Sequence, residues 1–410
     1  MLKKINVEHL RAGMHLHELC GSWMDHPFWR TKFVIKNADD IRLIVDSGIK
    51  EVWIDVAKGI DVAVAAEPRG EVAAAVDAAP TNAAAASGTP PPATPPPRVA
   101  MAEEVQRAAR ICTSAKTAIV SMFNEMRMGK AISSEAAGEL VDEIASSVMR
   151  NPGALISLAR LKTADDYTYM HSVAVCGLMV ALAGKLDLDE TQTRDAGMAG
   201  LLHDLGKAMM PMDVLNKPGK LTDEEFRIIK GHPEEGHRLL VDAGTVGAVP
   251  LDVVLHHHEK TDGSGYPHRL KDEQISVFAK MGAVCDVYDA ITSNRPYKAG
   301  WEPAESIKKM AGWCDGHFDT RIFQAFVKSI GIYPVGSLVR LGSGRLAVVT
   351  EQSEESLLTP RIKVFFSSKS MTYIPPEVID LARGGITEKI VAREDPKTWG
   401  IKNLEQFWMG

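Results

Sequence analysis

The sequence predicts a mainly α protein carrying a small α+β unit at its amino end and a short β-rich extension at its carboxyl end. Three observations lead there. From about residue 101 to 330, apolar residues recur almost entirely at helical spacing. Between Ala65 and Arg98 the composition collapses to alanine and proline, ending in a run from Pro90 to Pro97. After residue 332, short apolar runs flank glycine turns in the manner of hairpins. A chain of 410 residues also exceeds the usual size of one domain. The expected division is a regulatory α+β unit over 1–64, a linker over 65–100, a helical domain over 101–331 with its chemical motifs in 165–330, and the extension over 332–410.

In the first unit, Lys32 to Lys36 reads as a strand and Ala38 to Ser47 as a helix, capped by Asn37 and ended by Gly48. Glu51 to Val56 follows as a second strand. The segment Asp25-His26-Pro27-Phe28-Trp29 either marks a recognition surface or packs the small core. The Ala/Pro stretch lacks the apolar bulk to offset ordering, and its proline run should be extended and semi-rigid. Residues 101–128 read as one long helix, with Val105, Ala109, Cys112, Ala115, Ile119, Met122, Phe123 and Met126 on one stripe. That stripe either forms a homodimer interface or packs across the domain. A second helix runs from Ser134 to Arg150 and is stopped by Asn151-Pro152-Gly153. In the extension, Leu338 to Leu341 and Leu346 to Val349 flank Gly342-Ser343-Gly344 as a hairpin, and Lys363 to Phe366 adds a third strand.

Composition narrows the function. A formal charge of −6 gives no general attraction for nucleic acid polymers or acidic membranes, so an anionic ligand must be captured locally. Five cysteines without a CxxC pair fit a reducing compartment, and no apolar run reaches the length of a membrane span. A cytoplasmic protein without membrane insertion is expected.

Chemistry concentrates around Leu201-Leu202-His203-Asp204-Leu205-Gly206-Lys207, where a histidine stands beside a carboxylate at the end of an apolar helix. Imidazole and carboxylate together suit divalent first-row metals, and a carboxylate can bridge two ions. Lys207 lies one turn past Asp204 on the same face, placed to hold a phosphate oxygen. A capping aspartate beside a satisfied histidine is the bland alternative. His171 shares a stripe with Ala174, Val175, Leu178 and Leu182, where a lone histidine usually belongs to the core. His232, in Gly231-His232-Pro233, is weak evidence by itself. In His256-His257-His258, His258 falls on the inward stripe of Leu251, Val254 and Leu255, His257 lies beside it, and His256 should face solvent. The segment Val277 to Ile291 is apolar on nearly every face, yet it contains Asp286 and Asp289. Buried carboxylates must be paired, hydrogen-bonded or metal-bound. Asp286 is the candidate ligand, and Asp289 is placed to orient a ligand imidazole.

His171, His203, Asp204, His232, His257, His258 and Asp286 together could hold two metals. With Asp204 shared and a hydroxide between the ions, about two octahedral positions would stay open for phosphate oxygens. Nitrogen and oxygen ligands without thiolate favour iron or manganese over structural zinc.

With these residues assembled, the chain resembles the HD-GYP phosphodiesterases, a bacterial branch of the HD superfamily that hydrolyses cyclic di-GMP in second-messenger signalling. The likeness runs from His171 through His203-Asp204-Leu205-Gly206-Lys207, Lys217-Pro218-Gly219-Lys220-Leu221-Thr222 and His232-Pro233 to His257-His258-Glu259-Lys260-Thr261-Asp262-Gly263-Ser264-Gly265-Tyr266-Pro267. It continues through Asp286-Val287-Tyr288-Asp289-Ala290 and Ser293-Asn294-Arg295-Pro296-Tyr297-Lys298. The amino-terminal unit is similar to the small domain of unknown function that often precedes HD-GYP domains. The resemblance implies a helical HD-superfamily domain and hydrolysis of cyclic di-GMP by a hydroxide activated between two metals, with either pGpG or GMP as the final product. It implies metal binding by the seven residues above, catalytic roles for His203, Asp204 and Lys207, and phosphate contacts from Lys207, Arg295 and Lys298. Tyr266, in the Gly263 to Pro267 loop, would handle substrate, and this loop or the amino-terminal unit would meet protein partners. One position departs from the pattern. Members with three metals carry a glutamate one turn before the first histidine, where this chain has Tyr167. Two metals rather than three are therefore expected, since Asp165 and Asp166 have the wrong helical phase. The competing readings are a cyclic di-GMP receptor with weak or no catalysis, and an HD phosphohydrolase acting on other nucleotides.

Overall fold

In a computed structural model the chain falls into two compact units, residues 1–95 and 96–410. The structure is described over residues 2–20, 33–35, 41–42, 44–45, 50–60, 98–130, 132–160, 167–217, 219–293, 300–314, 316–353 and 356–409. The side chains of residues 18–20, 33 and 167 are not described. The Asp25 to Trp29 segment, the Ala/Pro stretch up to Pro97, Asp165, Asp166, Arg295 and Lys298 lie outside this set.

The first unit contains β1 (Leu2–Asn6), β2 (His15–Cys20), β3 (Phe33–Val34) and β4 (Glu51–Asp55), hydrogen-bonded in the order β1-β4-β2-β3 with antiparallel neighbours. Ile5, Leu16, Ile35, Ile44, Val52 and Ile54 form its core. The strand expected at 51–56 is β4. Strands β1 and β2 escaped sequence analysis because Lys3, Lys4, His15 and His17 break up their apolar runs.

The second unit opens with α1 (Met101–Arg127), α2 (Ser134–Arg150) and α3 (Pro152–Arg160). Asn151 ends α2, but Pro152 then begins a helix rather than a loop. Its missing N–H costs nothing in a first turn, where no intrahelical acceptor exists. The buried stripe of α1 follows Met101, Val105, Ala108, Ala115, Ile119, Met122, Phe123 and Met126 and packs against α2 and α3. Ala109, expected on that stripe, is exposed, and Ala108 takes its place. A buried ion pair ties the first two helices together: Arg150 Nε and Nη2 each donate to Glu104 at 2.8 Å, as does Ser147 Oγ. Burial raises the Glu104 pKa, but these donors outweigh it and hold the carboxyl below its usual range.

At the centre lies α4 (Tyr167–Lys185), every residue of which from Met170 to Val180 is buried. A helix apolar all round can only be wrapped by others. Around it run α5 (Glu190–Leu202), α6 (Met212–Leu215), α7 (Asp223–Ile229), α8 (His232–Ala243), α9 (Ala248–His256), α10 (Val277–Thr292), α11 (Pro303–Ala311) and α12 (Thr320–Ile330). Direct packing on α4 comes from α1, α2, α3, α5, α10 and α12. Among the described residues, no helix is long and apolar enough to cross a membrane.

The carboxyl-terminal sheet joins β5 (Leu338–Leu341), β6 (Arg345–Glu351), β7 (Arg361–Ser367), β8 (Thr372–Asp380) and β9 (Ile390–Arg393) in the order β8-β7-β6-β5-β9, with antiparallel neighbours. The expected hairpin is β5 with β6, and β7 is the expected third strand. Strand β8 was not expected, because it contains Pro375-Pro376. It lies at a sheet edge, where a missing N–H breaks no ladder on the open side.

Candidate metal centre

Two close helix contacts place the central residues. Gly200 lets α5 lie directly on α4, since a Cβ there would sit 2.9 Å from the Cys176 Cα. This carries His203, the residue after α5, to the first turns of α4 beside His171. Gly206 lies in the short 3-10 turn Leu205–Met209 against the start of α8, where a Cβ would meet His232 O at 2.0 Å. Asp204 is thereby held next to His232. Helix α10 packs against α4 and presents Asp286 and Asp289, three residues apart on one face, to His171.

Seven side chains expected at the site come together in two sets. Asp204, His232, His257 and His258 form one, and His171, His203 and Asp286 the other, with the ligand atoms of each within 4.8 Å of one another. Asp204 stands between them. Its Oδ2 lies 3.4 Å from His203 Nε2 and 3.5 Å from His171 Nε2, while its Oδ1 lies 3.2 Å from His232 Nε2 and 3.8 Å from His257 Nε2. All of these groups are buried except His258, whose side chain is 22% exposed.

Backbone carbonyls fix three of the imidazole tautomers. His203 Nδ1–H donates to Gly200 O at 2.9 Å, His232 Nδ1–H to Ile229 O at 2.7 Å, and His257 Nδ1–H to Val253 O at 3.0 Å. Each ring therefore turns Nε2 inward, the arrangement that readies histidine as a ligand. His171 differs, because Asp289 Oδ2 accepts from its Nδ1 at 2.6 Å while its Nε2 lies 3.0 Å from Asp286 Oδ1. Ser293 Oγ in turn donates to Asp289 Oδ1 at 3.1 Å.

The electrostatics agree. Burial, with neighbouring imidazoles, pushes the His257 pKa down to about 3 and that of His258 well below its ordinary value, while burial lowers His232. These rings are neutral at physiological pH. Burial disfavours charge on Asp204 and Asp286 as well, but Lys207 beside the first and His171 beside the second hold both well below the usual carboxylate range. Burial would also lower His171, yet Asp286 and Asp289 reverse that and raise it, so positive charge is favoured at this point.

The donor set fits divalent metals. Asp204 Oδ1 accepts no hydrogen bond among the described residues although it is buried and ringed by imidazole nitrogens. An orphaned buried carboxylate oxygen is costly unless a cation satisfies it. Imidazole and carboxylate groups gathered in two sets, with Asp204 reaching both, are compatible with divalent metal binding.

The other expected residues fall around this centre. Lys207 Nζ donates to Asp204 Oδ2. Tyr266 lies over the site, its ring centroid 4.7 Å from that of His258. His256 stays out of both sets, as expected, but it does not simply face solvent. Its Nδ1–H donates to Asp252 Oδ1 at 2.7 Å, and its Nε2 lies 3.1 Å from His268 Nδ1. Glu259, unmarked in the sequence, is buried and accepts from His268 N at 2.6 Å and Leu270 N at 3.0 Å, pinning the loop that carries Tyr266. A lone glutamate beside two histidines carries no sequence signal for such backbone contacts.

A helical fold centred on His203-Asp204 defines an HD-domain hydrolase, and the profile described as an HD domain matches residues 147–322. A second profile, described as a domain of unknown function (DUF3391), matches residues 2–137, running past the Ala/Pro stretch and through α1 to the start of α2. The chain is 54% identical, over 100% of its length and 96% of the relative, to a protein of Pseudomonas aeruginosa named a cyclic di-GMP phosphodiesterase. It is 38% identical to a cyclic di-GMP phosphodiesterase response regulator of Xanthomonas campestris pv. campestris, over 42% of this chain and 47% of that one. A solved structure of an HDG"Y"P protein from Bdellovibrio bacteriovorus aligns with a TM-score of 0.46 and 17% identity, over 80% of this chain and 99% of that one. The chain belongs to the HD-GYP family of phosphodiesterases.

Proposed function

We propose that the protein hydrolyses a 3′,5′-phosphodiester bond of cyclic di-GMP, opening it to pGpG, at two divalent ions, iron or manganese. The observation that carries this reading is the position of Asp204, whose two oxygens face the two nitrogen sets separately. When bound there, the ions would polarise the phosphoryl oxygens and lower the pKa of an attacking water. His171, His203 and Asp286 would hold one ion, and His232, His257 and His258 the other.

The remaining work falls to the protein's own cations. Lys207, now paired with Asp204, is only 23% exposed and sits at the rim of both sets, where it would hold a phosphoryl oxygen and stabilise its growing charge. Arg295 and Lys298, after the end of α10, would grip the phosphates, the guanidinium in a bidentate fork and the ammonium as a point charge. Tyr266 would close one side of the bound nucleotide. No side-chain nucleophile is required. A cytoplasmic location and protein contacts through the Tyr266 loop or the first unit belong to the same reading.

The test is product chromatography with metal analysis on one anaerobic preparation. Manganese- or iron-loaded protein should convert cyclic di-GMP to pGpG, and His203→Ala and Asp204→Ala should lose turnover together with metal. Binding of cyclic di-GMP without product would favour a receptor, and near-normal turnover in both variants would refute the site. Three metals per chain would overturn the dinuclear assignment.

A further inference from the structure

We infer that Phe226 and Lys230 form a subsite for a guanine base of the substrate, with the Phe226 ring as a stacking face and the Lys230 ammonium as donor to guanine O6 and N7. This rests on the cyclic di-GMP reading and names the residues that would read its base.

Phe226 and Lys230 are one turn apart at the end of α7, joined by Lys230 N donating to Phe226 O at 3.0 Å. Phe226 is 46% exposed, unusual for a phenylalanine beside a buried polar site. Lys230 Nζ lies 4.6 Å from the Phe226 ring centroid and 5.2 Å from that of Tyr266. Tyr266 in turn lies 4.7 Å from His258 between ring centroids, so the Lys230 ammonium bridges the exposed phenylalanine to a ring that reaches the metal centre. Of the three other long cations between Lys217 and Lys230, Lys217 is paired with Glu225 at 2.6 Å and Arg227 with Glu224 at 2.6 Å, while Lys220 is exposed and makes neither of the ring contacts that hold Lys230. Lys230 pairs with no carboxylate among the described residues and is held over ring faces alone.

Its placement relative to the chemistry is rigid. Lys230 precedes His232 by two residues, and the His232 ring is locked to Ile229 O within the same turn. A phosphate at the metal centre would thus hold its attached nucleoside within reach of a cation and a ring fixed by the same backbone. An ammonium matches the two acceptors on the outer edge of guanine, whereas adenine places an amino donor there. An exposed ring stacks any base, so Phe226 would add affinity and Lys230 the choice between bases.

The experiment uses full-length, metal-loaded protein with Lys230→Met and Phe226→Ala. Substrates are cyclic di-GMP, cyclic di-AMP and bis(p-nitrophenyl) phosphate, a diester without bases. For Lys230→Met, KM for cyclic di-GMP should rise about tenfold with kcat little changed, and the preference over cyclic di-AMP should shrink by a similar factor. For Phe226→Ala, KM should rise about tenfold for both dinucleotides. In each variant kcat/KM for cyclic di-GMP should fall about tenfold relative to that for bis(p-nitrophenyl) phosphate. A purely structural role would lower both substrates together and overturn the subsite, as would an unchanged KM and base preference. If wild type binds cyclic di-GMP without turning it over, the catalytic reading fails, and calorimetric Kd values for the same variants decide the subsite: a tenfold loss supports it and unchanged affinity overturns it.

Discussion

Asp289 touches His171 rather than the space between the two ligand sets, so its removal isolates what orientation of an imidazole is worth. His171 is buried, and its Nδ1–H has a carboxylate oxygen at 2.6 Å. That carboxylate fixes the ring angle and makes Nε2 a stronger donor. Asp289→Asn keeps an acceptor of the same shape but loses the charge, whereas Asp289→Ala also strands a buried N–H. Loss of such a partner typically weakens metal affinity by about 10- to 100-fold, equivalent to about 1.4–2.7 kcal/mol. Asparagine should fall near the lower figure and alanine near the upper. The assay is competition for manganese against a chelator of known affinity, with metal stoichiometry and circular dichroism on the same samples. Turnover should follow metal occupancy and recover as manganese is raised. If folded Asp289→Ala binds manganese with wild-type affinity, the carboxylate does not support the ligand and this reasoning is wrong.

Gly206→Ala should destabilise the fold by about 2 kcal/mol or more, because its Cβ would meet the His232 carbonyl, a backbone atom that cannot rotate away. Urea unfolding checks this, and an unchanged midpoint would contradict the close approach. Arg150→Ala should cost about 3 kcal/mol, because the buried Glu104 carboxylate loses both guanidinium bonds and keeps only Ser147 and the more distant Arg107. The sign of the pH dependence follows from the depressed Glu104 pKa: its stabilisation is present above the unfolded value of about 4.3 and is lost as pH falls through the lower folded value. The gap in melting temperature between wild type and Glu104→Gln should therefore narrow in acid, and a constant gap across pH 2–7 would refute the linkage.

Local patterns in the chain were enough to mark most helices and to nominate the chemistry. Ser133 and Asn151 bracket α2, and the apolar run from Val173 to Leu182 marks a central helix, because caps and periodicity act over a few residues. The strands β1, β2, β8 and β9 escaped, since their stability comes from neighbours distant in sequence. The same division runs through the site. Residue type and helical phase were enough to select seven candidate ligands and to set His256 aside. They could not show that His256 is held by Asp252 and His268, nor that Glu259 anchors a loop through two backbone amides. Phe226 and Lys230 read from sequence as part of an ordinary amphipathic run.

Spacing along a helix tells which residues share a face but not what that face meets. The opposition of the two Asp204 oxygens to separate imidazole sets joins residues from His171 to His257, and so depends on how α4, α5, α8 and the end of α9 pack. Gly200 and Gly206 permit that packing through contacts with other helices, which exist only once the chain has closed on itself. Tautomer and charge likewise follow from the carbonyls and carboxylates that folding brings within about 3 Å, the range over which hydrogen bonds act.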